Sequence, residues 1–237
     1  MKQRISKLLA ALILGVGFCS ATNAHAALTL TLGGQGVYDN NLNITWLQNA
    51  NLAASNTFGV ASGISADGSM YWDTAQSWVA ALNTANYLGY GDWRLPKSDA
   101  CIDINCTGSE MGHLFYNELG GVAWESITTT HNDNYHLFSN IQTFMDMNGS
   151  RNDFYWSGTE KESDFPFLNA FAFHMGVGYQ GSFYKDGTNF NMGERMFAWA
   201  VRDGDSPAVT SPVPEPETYF MLLAGLGLLS FTARRRK

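Results

Sequence analysis

The chain of 237 residues predicts an α+β fold, with helices first and an antiparallel meander last. Three observations carry this. Apolar residues recur at helical spacing in two stretches of the first half: Ala75, Trp78, Val79 and Leu82, then Met111, Leu114, Phe115 and Leu119. The second half changes to short, aromatic-rich runs of strand length. Those runs are separated by Gly176-Val177-Gly178, Asp186-Gly187 and Met192-Gly193, which suit tight turns rather than crossover helices, so a parallel α/β sheet is not expected.

Taken in order, Leu28-Thr29-Leu30-Thr31-Leu32 alternates as a half-buried strand does. After Gly33-Gly34, the pieces Val37 to Asp39 and Leu42 to Leu47 flank the turn residues Asn40-Asn41 as an opening hairpin. Asp73 stands as a helix N-cap with Gln76 three residues on, and the apolar face continues until Asn83 and Gly89. A second helix follows Ser109 and stops at Gly120-Gly121. Phe154 to Ser157, Ala170 to Met175, Tyr179 to Tyr184 and Met196 to Arg202 supply the strands of the meander.

Both ends read as addresses. Lys2, Arg4 and Lys7 precede the apolar Leu8 to Phe18, and Ala24-His25-Ala26 sets small residues at the −3 and −1 positions of a signal-peptidase site. Residues 1–26 are therefore expected to be a signal peptide, cleaved between Ala26 and Ala27. Cys19 does not argue for a lipoprotein, because Phe18 occupies the place where a lipobox needs a small residue. At the other end, Pro214-Glu215-Pro216 precedes the apolar Tyr219 to Ala233 and then Arg234, Arg235, Arg236 and Lys237. As a helix that stretch reaches about 22 Å, short of the roughly 30 Å of a bilayer core. Snorkelling arginines and local thinning make up the difference, with the cationic end held in the cytoplasm. Met221 to Leu229 has no polar stripe that would suit an amphipathic helix.

A Pro-Glu-Pro triplet, an apolar helix and a basic end, in that order, resemble the sorting tail of PEP-CTERM proteins. The resemblance implies recognition and cutting near the triplet by a membrane-embedded exosortase, in exopolysaccharide-making Gram-negative bacteria. Residues 206–216 then form a linker carrying the motif and residues 217–237 the transmembrane tail, leaving residues 27–205 as the body. The expected route is export, a transient inner-membrane anchor, and display at the cell surface or outside the cell.

Without the two ends, seven of the 14 Lys and Arg remain against 19 of the 21 Asp and Glu. A body this acidic repels a phosphate backbone, so nucleic acid is not an expected partner. Cys101 and Cys106 are the cysteines left once Cys19 is removed. An oxidising compartment favours a disulfide between them, closing a short surface loop, and there is no second pair to complete a zinc site.

Five segments then come in a characteristic order. They are Val37-Tyr38-Asp39 with Ile44-Thr45-Trp46-Leu47; Tyr71-Trp72-Asp73-Thr74-Ala75; Gly91-Asp92-Trp93-Arg94-Leu95-Pro96; Tyr155-Trp156-Ser157-Gly158-Thr159; and Ala200-Val201-Arg202-Asp203-Gly204. This order resembles the Lcl C-terminal-domain-like family. The resemblance implies a C-type-lectin-like body, two helices packed on small antiparallel sheets. It also implies an exported or surface-exposed protein, since some members are adhesins that bind polysaccharide.

Physically, Asp92 and Arg94 lie two apart and share a face of an extended segment, where the guanidinium can pair with that carboxylate or with backbone carbonyls while Trp93 turns inward. Leu95 follows, and Pro96 ends pairing and turns the chain. The segment reads as structural cement rather than a ligand site; Arg202 reads the same way, and Tyr155 and Trp156 read as core. No H-E-x-x-H pattern and no G-x-S-x-G elbow is present. His131, Asp133 and His136 lie in HNDNYH, a polar stretch that reads as a solvated loop rather than a metal site. Glu160/Glu162 and Asp203/Asp205 are carboxylate pairs with no spacing that selects an acid and a base. The body lacks the proline triplets of calcium-dependent lectins, although Asp203-Gly204-Asp205 offers oxygens for a structural calcium. No cofactor and no catalytic metal is expected.

The leading functional expectation is a non-catalytic module that contacts extracellular polysaccharide, through aromatics stacked on sugar rings and amides bonded to hydroxyls. With Asn abundant and cations few, neutral glycans suit it better than anionic ones. The alternatives are a formylglycine-generating type of enzyme with reactive thiols at Cys101 and Cys106, and a spacer without a ligand.

Overall fold

Leu28–Thr31 (β1), Gly36–Asp39 (β2) and Ile44–Leu47 (β3) form an antiparallel run in which Leu28 faces Asp39 and Asp39 in turn faces Ile44. These positions come from a computed structural model that describes residues 28–143, 153–161, 168–186 and 195–205. The proposed signal cleavage at Ala26-Ala27 and the sorting residues Pro214, Glu215 and Pro216 lie outside the described residues.

Trp72–Thr84 (α1) follows, burying Trp72, Ala75, Trp78, Val79 and Leu82 on one face. The helix begins ahead of the expected Asp73 cap: Tyr71 is the N-cap and makes no side-chain capping bond. The reason is tertiary. The Trp72 N–H donates at 3.1 Å to the carbonyl of Lys185, so a distant segment satisfies one of the free donors at the start of the helix. Asp73 instead sits in the first turn, where its charge complements the helix dipole.

Asp103–Ile104 (β4) is followed by Glu110–His113 (α2), whose N-cap Ser109 accepts from the Gly112 N–H at 3.0 Å, as expected for that residue. The chain then widens into a π-helical turn over Leu114–Glu118 and stops at Gly120, which has φ +75°. A short helix at Ile127–Thr130 (α3) and a 3-10 turn at Asp133–Leu137 lead on.

Phe154–Glu160 (β5), Asn169–His174 (β6) and Tyr179–Tyr184 (β7) make the expected meander, and β4 pairs on the outer side of β7. The fourth expected strand does not join it. Val201–Asp203 (β8), which takes in its last two residues, crosses to the first sheet and pairs with β3, giving the order β1-β2-β3-β8. Ahead of β8, Met196 exchanges backbone bonds with Met70, and Phe197 bridges to Tyr155, so this segment ties the two sheets together. Two small antiparallel sheets and few helices thus make up the described residues. Among those residues no helix is long and apolar enough to cross a membrane.

Tryptophans fill the space between these layers and lock it. Trp46, Trp78, Trp93, Trp156 and Trp199 are all fully buried. A buried indole N–H needs an acceptor, and four of these five find one on a remote carbonyl. Trp78 donates to Asn56 at 3.0 Å, Trp93 to Tyr87 at 3.1 Å, Trp156 to Met70 at 2.9 Å and Trp199 to Leu47 at 2.7 Å. Trp72 does the same to Ser157, at 2.7 Å. Each ring therefore supplies apolar area and a directional tie in one side chain.

Candidate functional site

The Gly91-Asp92-Trp93-Arg94-Leu95-Pro96 segment is a strut. Trp93 is clamped by Asn83, whose side-chain amide both accepts from the Trp93 N–H and donates to its carbonyl, each at 2.8 Å. Arg94 and Val201 exchange backbone bonds of 2.8 Å, Leu95 is buried, and the Pro96 carbonyl accepts from Gly158 N–H and Ser157 Oγ. Of the two partners expected for the Arg94 guanidinium, a backbone carbonyl is found and the Asp92 carboxylate is not. Side chains two apart share a face but stand about 7 Å apart along an extended chain, and each reaches a different neighbour. Asp92 receives two bonds from Arg202, at 2.9 and 3.1 Å, while Arg94 binds Glu110 and Asp203 and also donates to the Leu95 carbonyl. Arg202 additionally lies over the Tyr90 ring, 3.9 Å from its centroid.

Other sequence candidates have structural partners. Tyr155 and Trp156 are fully buried. Glu160 pairs with Lys185 at 3.0 Å, while Glu162 lies outside the described residues. His131 stacks on Tyr135 at 4.4 Å with His136 edge-on at 5.0 Å, an aromatic cluster rather than a ring of ligands. Cys101 and Cys106 are joined as a disulfide. His174 and Asp153 are buried with Nε2 and Oδ2 2.8 Å apart, but off the line of a hydrogen bond. The Gly176 N–H donates to His174 Nδ1, which fixes that imidazole at the β6–β7 turn.

An open cavity of about 250 Å³ lies at the end of the first sheet, lined by Gln35, Leu47, Gln48, Asn49, Leu52, Tyr87 and Ser139. Its walls come from four separate pieces of chain, three of them held in register by backbone bonds. Gln48 N–H donates to the Gln35 carbonyl at 3.0 Å, Ser139 N–H to Gln48 at 2.9 Å, and Ala50 N–H to Ser139 at 2.9 Å. The amide oxygens are occupied by neighbours: Ser139 Oγ donates to Gln48 Oε1 at 3.0 Å, Asn140 Nδ2 to Asn49 Oδ1 at 3.0 Å, and Tyr87 OH to Gln35 Oε1 at 3.5 Å. That arrangement leaves the amide N–H groups of Gln35, Gln48 and Asn49 as donors for an incoming acceptor. Burial pushes the Tyr87 hydroxyl above its ordinary value of 10.0, so it remains neutral. No lining residue carries a charge. Apart from Leu47, none of these residues belongs to a sequence motif; what the sequence does offer is a cluster of amides at the ends of two expected strands.

Residues 35–202 match the Lcl C-terminal domain family. The chain belongs to that family. Residues 212–237 match the PEP-CTERM protein-sorting motif, which supports an exosortase-sorted, exported protein with a transient C-terminal membrane anchor. No curated protein and no solved structure matches the chain. Within this Lcl domain, the family's span covers the strut, the tryptophan ties and the cavity together.

Proposed function

We propose that the protein is a cell-surface or extracellular-matrix component whose body binds neutral polysaccharide at the Gln35–Gln48–Tyr87 cavity, without catalysis. The carrying observation is the lining: amides, a hydroxyl and a phenol beside Leu47 and Leu52, with no ionisable carboxylate or cation. Sugar hydroxyls accept from amide N–H groups, and the apolar side chains receive C–H faces of the ring. An anionic glycan finds no counter-charge in the cavity and meets a net-negative body. Two small sheets with α1 and the α2 segment are consistent with a C-type-lectin-like reading of the fold.

The disulfide between Cys101 and Cys106 argues against the enzyme alternative, which needs reactive thiols. Elsewhere, Trp124 is 62 % exposed and stacks on Tyr179 at 5.9 Å, a surface that also suits a sugar ring. A glycan array with the mature protein, run with and without calcium, tests the proposal. The expected result is capture of neutral glycans in both conditions, lost in Gln48→Ala and Gln35→Ala. Loss in Trp124→Ala alone would move the site to the stacked pair, and silence across the array would leave a spacer.

A further inference from the structure

Asp39 at the end of β2 is fully buried, and its two oxygens differ. Oδ1 accepts the N–H groups of Asn41 and Leu42 at 2.9 and 3.1 Å, which fixes the carboxylate plane. Oδ2 is buried without a hydrogen-bond partner. It faces His113 Nε2 at 3.9 Å, and that nitrogen lies 3.1 Å from Glu118 Oε1. One ligand atom from each of the three residues falls within 4.8 Å of the others, the spacing of donors around one small ion.

The backbone makes this convergence possible. Residues five apart on an α-helix diverge by about 140°, given 3.6 residues per turn. His113 and Glu118 nevertheless meet, because Leu114–Glu118 is a π turn closed by the Leu119 N–H on the Leu114 carbonyl at 2.9 Å. Asn41 Nδ2 donates to Glu118 Oε1 at 2.7 Å, and Asn132 and Asn134 both donate to the Glu118 carbonyl at 2.9 Å. Glu118 is thus held in place by its surroundings, as metal ligands are by their outer partners. The His113 side chain is 14 % exposed and gives the cluster a solvent-facing side.

We propose that Asp39, His113 and Glu118 bind one divalent transition-metal ion of the zinc type, stapling the β2–β3 turn to the α2 segment. An imidazole beside two carboxylates selects such an ion over calcium or magnesium, which take oxygen ligands. On uptake, His113 offers the Nε2 lone pair and carries its proton on Nδ1, while a positive ion offsets two carboxylates that are otherwise buried together.

The test uses the full chain, freed of metal with a chelator and titrated with zinc chloride alone by calorimetry. One equivalent is expected to bind, with X-ray absorption reporting a single imidazole among oxygen ligands and a higher unfolding temperature. His113→Gln and Glu118→Gln are each expected to weaken binding by more than the about 10–100-fold that loss of an outer partner costs. A variant with both His131→Ala and His136→Ala is expected to bind as the parent does. Absence of uptake, uptake that survives both glutamine variants, or preference for calcium at equal concentration would each overturn the site. If the variants fail to fold, the absorption spectrum of the parent decides: two or more imidazoles, or sulfur, would place the ion elsewhere.

Discussion

Arg94 and Glu110 close two parallel N–H···O bonds, Nη1 to Oε2 and Nη2 to Oε1, both at 2.8 Å. Glu110 Oε2 is shared further, accepting from the Lys97 N–H at 2.7 Å, so one carboxylate pins both the strut and the chain that leaves it. A planar guanidinium is required for the fork; an ammonium reaches only one oxygen. Arg94→Lys is expected to lower unfolding free energy by about 1–3 kcal/mol. Urea denaturation with an unchanged slope and an earlier midpoint is the corresponding observation. A midpoint within error of the parent would mean that the strut stands on Trp93 and its backbone bonds alone.

Two aspartates give opposite pH signatures. The hydrogen bonds from Arg94 hold the Asp203 carboxyl below its ordinary 3.8. That pair contributes stability above the unfolded value and loses it as pH falls through the lower folded value. Since Asp203 is largely exposed, Asp203→Asn is expected to cost no more than about 1 kcal/mol at neutral pH and nothing in strong acid.

Asp39 runs the other way. Burial, helped by the Glu118 charge, raises its carboxyl above 3.8 despite two backbone donors. The folded state then binds the extra proton, so the penalty of ionising Asp39 is absent below 3.8, grows as pH rises to the folded value and is full above it. In chelator, Asp39→Asn keeps an Oδ1 for Asn41 and Leu42 and is expected to unfold at higher temperature than the parent at pH 7. The advantage should vanish in acid. Calorimetric scans across pH check both the sign and the window.

Glycines separate two costs. A Cβ on Gly112 would lie 1.8 Å from the Cys106 carbonyl oxygen, a clash between two backbones fixed by Ser109 and the disulfide. Gly33 has φ +65° but open space around its missing Cβ. Gly112→Ala is expected to destabilise by about 3 kcal/mol through overpacking, against about 1 kcal/mol for Gly33→Ala through left-handed backbone strain alone. Thermal melts of the two variants side by side measure the difference.

How much of this was legible in the sequence follows from the range of each interaction. Tyr179–Tyr184 was readable to the residue because the turn residues that flank it and its aromatic composition are local. The buried face of α1 and the Ser109 cap were legible for the same reason. Val201–Asp203 also read as a strand, but its sheet did not, because hairpin logic assigns a strand to its nearest neighbour and β8 pairs with β3 instead. Asp92 and Arg94 were recognisable as cement without revealing Arg202 and Glu110 as their partners. The cavity and the Asp39 cluster could not be assembled from the sequence: one gathers its lining from four segments, and the other depends on a π turn that no apolar period announces.

The disulfide bears on both compartment and chemistry. Cys106 is buried against the α2 cap, where its loop carbonyl accepts from Ser109 Oγ. Protein exported in its native host is expected to take up no thiol-alkylating label at Cys101 or Cys106 until reduced. Replacing both by serine releases a short loop and should cost about 2 kcal/mol by chain entropy. The same sample tests processing by intact mass. The sorting motif at 212–237 and the expected signal site predict a product that starts at Ala27 and lacks the residues after Pro216. A mature protein that still carries Lys237 contradicts sorting by exosortase, and one that takes up label before reduction reopens the thiol-enzyme reading.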